Sequence, residues 1–215
     1  METARNDGDT EEGLSGTKAR IAEAALETLK ARGFAGATAR EIARTGGFNQ
    51  ALVFYHFGSV RNALLAALDL VSNRRMRAYQ PAFENARTVS ELARLARDIY
   101  TEDLEDGYVT VLSEMVSGGA SDPTLGREVV ARLEPWIGMV ERKLRALLTG
   151  SLSESMVPPR DLAFAIIALY LSIDMLSHLD GDRTRADSLL DLGVRHAPVV
   201  EAVLSRREPR RVDGT

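Results

Sequence analysis

Apolar residues recur every three to four positions along most of the chain, and no stretch alternates at every second one, which predicts helices and no strands. Ile21, Ala25 and Leu29, with Ala22 and Leu26 beside them, make a continuous stripe. It predicts a first helix from Thr17, which can cap it, to about Arg32. Gly33 is placed to stop that helix and Phe34 to fold back on its stripe. The most ordered pattern runs from Thr38 to Phe57, TAREIARTGGFNQALVFYHF. It predicts two short helices around a Gly46-Gly47 turn. Thr38 and Glu41 have capping-box spacing, Ile42 and Ala43 are the apolar positions, and Arg40 and Arg44 mark the polar side. The two glycines supply the backbone freedom that a tight helix-helix turn needs, and Asn49 can cap the second helix. Gln50, Ala51 and Leu52 are then expected to face outward, and Val53 and Phe57, four apart, inward.

Gly58 and Ser59 break and recap the chain for a fourth helix with Val60, Leu64, Ala67, Leu68 and Val71 on its buried face. Leu65 and Leu70 lie off that stripe, so this helix is expected to pack on two sides. From about Arg77 the pattern lengthens. Residues 88–106 carry Val89, Leu92, Leu95, Ala96 and Ile99 at helical spacing, and an apolar helix over 108–118 is expected to stop at Gly118-Gly119. Asp122-Pro123 opens a long helix bearing Leu125, Val129, Leu133, Trp136, Val140, Leu144 and Leu147, which Pro135 should kink. After Pro158-Pro159 the run DLAFAIIALYLSIDMLSHLD is apolar nearly all round, so it must be covered on every side. A last helix is expected from Thr184 to about Ala197, with a restart after Pro198. Residues 1–15 and 208–215 offer little to bury and are expected to be disordered tails.

Composition narrows the class. Of 215 residues 45% are hydrophobic, enough for one large or two small cores. No run approaches the roughly eighteen uncharged apolar residues of a membrane span, and the acidic, polar first residues are unlike a signal peptide. Without cysteine there are no disulfides or thiolate sites. These features set the expectation of a cytoplasmic, all-α protein. The net charge of −4 conceals a division: residues 17–75 carry nine Lys or Arg against four acids. The positive excess thus falls on the segment with the glycine turn, where phosphate attraction would be useful. A short polar-tipped helix held at a fixed angle to a partner fits a DNA major groove.

Residues 17–68 resemble the DNA-binding domain of the tetracycline-repressor (TetR) family. The run IAEAALETLKARGFAGATAREIA, the glycine turn, LVFYHF and GSVRNALL carry the likeness. The resemblance implies backbone contacts from Thr17 and Lys18 and from Thr38 and Arg40. It places Asn49, Gln50, Ala51, Leu52, Tyr55 and His56 on the groove-reading helix, with Phe57 closing the core and His56 able to do either. Two positions depart from the family pattern: Phe54 stands where a tyrosine is usual and Val60 where a lysine is usual, so Arg61 is expected to take over a phosphate contact. The resemblance further implies a three-helix helix-turn-helix domain with its connecting fourth helix over 16–75. A helical ligand-binding and dimerisation domain would follow over 76–207, paired through helices at about 160–180 and 184–204. The function implied is a ligand-responsive transcriptional regulator, expected to be a repressor, that binds a partly palindromic double-stranded operator as a homodimer and is released by an unknown small molecule.

A pocket for such a molecule would draw on Tyr100, Tyr108, Glu114, Met115, Trp136, Met139, Tyr170 and Asp174, bulky groups with a few polar ones to orient a guest. Asp174 stands out because Ile173 and Met175 flank a carboxylate on an apolar helix, and an unpaired buried carboxylate is costly. HLDGD at 178–182 lacks the ligand spacing of a calcium loop or a zinc site. No serine elbow or phosphate loop occurs, so neither catalysis, cofactor nor metal is expected. The rival reading is a helical small-molecule-binding protein or enzyme whose helix-turn-helix is vestigial.

Overall fold

The computed structural model describes residues 16–149 and 158–204, with the side chains of Asp174 and of residues 178–180 left out. The two expected tails lie outside the described residues. Every regular element among them is a helix: α1 (Gly16–Gly36), α2 (Ala39–Gly46), α3 (Ala51–Phe57), α4 (Val60–Asn85), α5 (Val89–Glu105), α6 (Tyr108–Ser121), α7 (Pro123–Ala131), α8 (Glu134–Leu148), α9 (Pro159–Asp180) and α10 (Thr184–Leu204). The chain divides into two compact units, Met1–Arg75 with Glu114–Glu128, and Met76–Ser113 with Val129–Thr215.

In the first unit α1 buries Ile21, Ala22, Ala25, Leu26 and Leu29 against Ile42 and Ala43 of α2 and Val53 of α3. The helix already includes Gly16, so Thr17 sits in its first turn and is not its cap. At Gly33 the backbone turns to φ 67, ψ 178, a conformation open in practice only to glycine, and the stripe ends there as expected. On α4, Leu64, Ala67 and Leu68 are buried together with Leu65 and Leu70, so this helix is covered on two sides.

Three boundaries differ from the sequence reading. Helix α6 does not stop at Gly118-Gly119 but continues to Ser121. A Cβ at Gly118 would lie 2.7 Å from the Phe34 ring, and one at Gly119 would lie 2.9 Å from Gly126 Cα, so both glycines serve close packing inside a helix. The expected long helix from Asp122 is two helices, α7 and α8, broken at Arg132-Leu133. Pro135 does not kink a helix; it lies in the first turn of α8, where a missing N–H leaves no intrahelical bond unmade. Pro198 is inside an unbroken α10, which packs on α5 and α9.

The second unit is a helical assembly in which α9 packs on α8, and α10 on both α5 and α9. One apolar cluster joins Ile137, Val140 and Leu144 to Ala163. A second joins Tyr100 to Ile173 and Ala186. Helix α5 opens on a reciprocal capping box: Thr88 Oγ1 accepts from the Glu91 N–H at 3.1 Å, and Glu91 Oε2 accepts from the Thr88 N–H at 3.2 Å.

Candidate functional site

Local chemistry sets the angle between α2 and α3. The Thr38 hydroxyl accepts from the Glu41 N–H at 3.2 Å, but the reciprocal half of the expected box does not form. The Glu41 carboxylate is engaged instead by Arg44 Nε at 2.9 Å, with Arg32 at 3.7 Å. The Arg44 hydrogen bond, ahead of the charges of Arg44, Arg32 and Arg40, holds Glu41 below the ordinary carboxylate range. Between α1 and α2 the hydroxyls of Thr28 and Thr45 lie 2.9 Å apart.

The turn divides its labour between two glycines. Gly47 adopts φ 66, ψ 39 and closes α2 by donating to Ala43 O. At Gly46 a Cβ would meet the Phe48 ring at 2.1 Å and Ala24 Cβ at 2.8 Å, so glycine is needed there for room. The N-cap of α3 is Gln50, without a side-chain bond, and not Asn49 as expected; Asn49 Oδ1 accepts from the Ala51 N–H at 2.9 Å and braces the turn one residue earlier. Val53 is completely buried and anchors that helix, while Tyr55 is 82% exposed. Asn49, Gln50 and Ala51 are exposed with it, Leu52 and His56 are half-buried, and the His56 and Tyr55 rings meet edge-on at 4.9 Å. Phe54 is half exposed on the same helix.

The flanking residues named from the sequence fall at the rim. Thr17, Thr38 and Arg40 are exposed and Lys18 is half-buried. Arg61, exposed at the start of α4, is ion-paired with Asp122, so a phosphate would have to compete for it. Asp122 also caps α7 by accepting from the Leu125 and Thr124 N–H groups, and with Arg61 these hold its carboxyl below the usual range, Leu125 contributing most. The sequence reading missed this pairing, because sixty residues separate the partners.

In the second unit a cavity of about 80 Å³ opens among α4, α5, α6, α8 and α9. Of the residues proposed for a pocket, Tyr108, Trp136 and Tyr170 line it. Tyr100 stands behind the wall, edge-on to Tyr170 at 5.7 Å. Met139 is buried but does not line it, Met115 is a core residue of the first unit, and the Asp174 side chain lies outside the described residues. Glu114 belongs to the first unit, where its Oε2 accepts from the Phe34 N–H at 2.7 Å. The charged group the cavity does present is Asp103, 2% exposed. Its Oδ2 accepts from the Tyr170 hydroxyl, and the Tyr79 hydroxyl lies 3.2 Å from its Oδ1 and 2.9 Å from Glu102 Oε2. A signal for it existed: Asp103 continues the apolar stripe of Leu92, Ala96 and Ile99 by one further helical step.

On α9 and α10 the second unit also presents Phe164, Leu169, Leu176, Leu189, Leu192 and Val199 to solvent, each more than two-fifths exposed. A groove of about 470 Å³ at Leu176, Arg185 and Leu189 is part of that face. No single helix among the described residues is long and apolar enough to cross a membrane.

A short exposed helix braced at a glycine turn, on a basic segment and joined to a larger helical unit, defines a helix-turn-helix DNA-binding protein. Residues 21–68 match the family model described as bacterial regulatory proteins, tetR family. The fold agrees with solved structures of such regulators. The fatty acid degradation regulator FadR from Bacillus halodurans has a TM-score of 0.70 at 13% identity, over 91% of this chain and 99% of that one. A TetR transcriptional regulator from Legionella pneumophila has 0.65 at 20%, over 86% and 98%. FadR from Bacillus subtilis, solved in complex with stearoyl-CoA, has 0.68 at 12%, over 83% and 96%. No curated protein matches the chain in sequence. Residues 21–68 are thus a tetR-family DNA-binding domain, and the chain as a whole has the fold of the solved regulators.

Proposed function

We propose that this regulator is a homodimeric repressor that grips a partly palindromic operator with two copies of α3 and lets go when a small molecule enters the second unit. The observation that carries the DNA half is the presentation of Gln50, Ala51 and Tyr55 together on a helix whose other side is anchored by Val53. Amide and phenol groups can read base edges and phosphates in a major groove, and Thr38 and Arg40 are exposed on α2 for the backbone. The apolar face of α9 and α10 supports the dimer, because exposed leucine and phenylalanine gathered on two helices are what a partner would cover. Two recognition helices would then occupy successive major grooves, about one turn apart.

The cavity beside Trp136 and Tyr170 supports the ligand half, as does the presence of stearoyl-CoA in a FadR structure of the same fold. A ligand would shift the operator equilibrium by its difference in affinity for the bound and released states, about 1.4 kcal/mol per tenfold. Fluorescence anisotropy on duplex DNA flanking the chain's own gene tests the reading. Binding should weaken steeply with salt, because Lys and Arg displace counter-ions from phosphates. Binding with no salt dependence would favour a small-molecule-binding protein with a vestigial helix-turn-helix.

A further inference from the structure

We propose that the base pairs under α3 are A·T pairs, read through a thymine C5-methyl packed on Ala51 and Phe54 and an adenine edge held by Gln50. This rests on the operator-reading function above and names the chemistry of the DNA it takes. Three observations converge. First, α3 and the two residues before it, NQALVFYHF at 49–57, carry no Lys, Arg, Asp or Glu. Arg and Lys are the side chains that grip guanine O6 and N7, and Asp and Glu those that accept from cytosine N4. Neither half of a G·C pair therefore finds its reader on this helix. His56 is half-buried, with its ring edge-on to Tyr55, and stands three residues from buried Val53 on the inner flank. Second, among the described residues of the first unit, the exposed large hydrophobic side chains are Phe54 and Tyr55, at 50% and 82%. Phe54 has no polar side-chain atom and lies three residues from exposed Ala51, on the same face. The apolar group that unmodified base edges present in the major groove is the C5-methyl of thymine. Third, the Gln50 side chain makes no cap bond to α3. Its amide keeps a donor for adenine N7 and an acceptor for the adenine N6 amino group. A 5-methylcytosine would offer Phe54 the same methyl, but its guanine partner offers Gln50 no such donor–acceptor edge. Amide and phenyl thus point to one kind of base pair. Arg40, exposed on α2, belongs to another helix, and a guanine read there lies outside the pairs under α3.

The experiment selects duplexes from a random library with the full chain, then resynthesises the enriched duplex with one altered base at a time for anisotropy titration. Uracil in place of thymine removes the methyl and keeps the pairing. At one enriched position per half-site it should weaken binding about fourfold, the roughly 0.8 kcal/mol of one buried carbon at about 1.4 kcal/mol per tenfold. 7-Deazaadenine, which lacks the N7 acceptor, should weaken the parent about fivefold, as the loss of one hydrogen bond does, and leave Gln50→Ala unchanged. Phe54→Ala should bring the thymine and uracil duplexes to equal affinity, and Phe54→Leu, which keeps an apolar group, should retain part of the difference. A merely structural role for Phe54 would weaken both duplexes alike. Should Phe54→Ala fail to fold, the base substitutions on the parent chain decide alone. Uracil tolerated at every enriched position, or half-sites of G·C pairs only, overturns the inference and leaves the operator reading standing. Half-sites of G·C pairs that bind more tightly when they carry 5-methylcytosine overturn it in favour of a methylated cytosine. Enrichment of no sequence overturns the inference and the operator reading together.

Discussion

The backbone N–H of Phe34 donates to Glu114 Oε2 at 2.7 Å, tying the end of α1 to a residue eighty positions later on α6. The contact depends on Gly33. Its φ of 67° suits glycine, and a Cβ there would stand 2.8 Å from the same carboxylate oxygen. A side chain from the middle of the chain thus completes the helix-turn-helix unit.

Glu114→Ala should destabilise the first unit by about 1–3 kcal/mol, because a part-buried N–H loses its acceptor. Glu114→Gln keeps an acceptor and should cost less. Gly33→Ala forces both a disfavoured backbone conformation and a clash, and should cost about 1–3 kcal/mol from the backbone alone. Urea unfolding followed by far-ultraviolet circular dichroism measures all three.

Gly46→Ala should abolish operator binding. The added methyl needs space held by the Phe48 ring and Ala24, and α3 can only yield by changing its angle to α2. Gly47→Ala meets no neighbour and pays only for its positive φ, about 1–2 kcal/mol, so it should bind DNA more nearly as the parent does. Anisotropy titrations of the pair separate crowding from backbone strain.

Asp122→Asn should release Arg61 toward DNA. Affinity should rise, and the slope of log K against log salt should steepen by about one. The same carboxyl predicts a pH effect with a defined sign. Its folded pKa is depressed, so its contribution to stability is full above the ordinary value of 3.8 and is lost as pH falls through the lower folded value. Acid melts of the parent should therefore fall further below pH 4 than those of Asp122→Asn.

Phe164→Glu and Leu192→Glu place charges on the exposed apolar face of α9 and α10. Each should convert a dimer to a monomer in sedimentation equilibrium and lower operator affinity. A monomeric parent chain would refute the assignment of that face.

The glycine turn and the outward set of Gln50 and Ala51, though not Leu52, were legible in the sequence because each is settled within a few residues. So was the all-helical class, through the spacing of apolar positions. What escaped the sequence depended on distant partners. Thr38 and Glu41 have box spacing, yet Arg44 and Arg32 draw the carboxylate away, while Glu91, with Arg94 three residues on, keeps its carboxylate on the Thr88 and Arg87 N–H groups and forms the box. Gly118 and Gly119 read as a stop until Phe34 and Gly126 are seen to need their bare Cα atoms. Asp103 was hidden in an apolar stripe, and the tyrosines that fix it come from other helices, α4 and α9.

Selection of bound duplexes from a random library tests the central claim most directly, run in parallel on the parent chain and on a Gln50→Ala, Tyr55→Ala double variant. The parent should enrich one partly palindromic sequence with half-sites about one helical turn apart, and the double variant should enrich none while still retaining DNA at low salt. Enrichment of the same sequence by both proteins would mean that α3 does not read the operator.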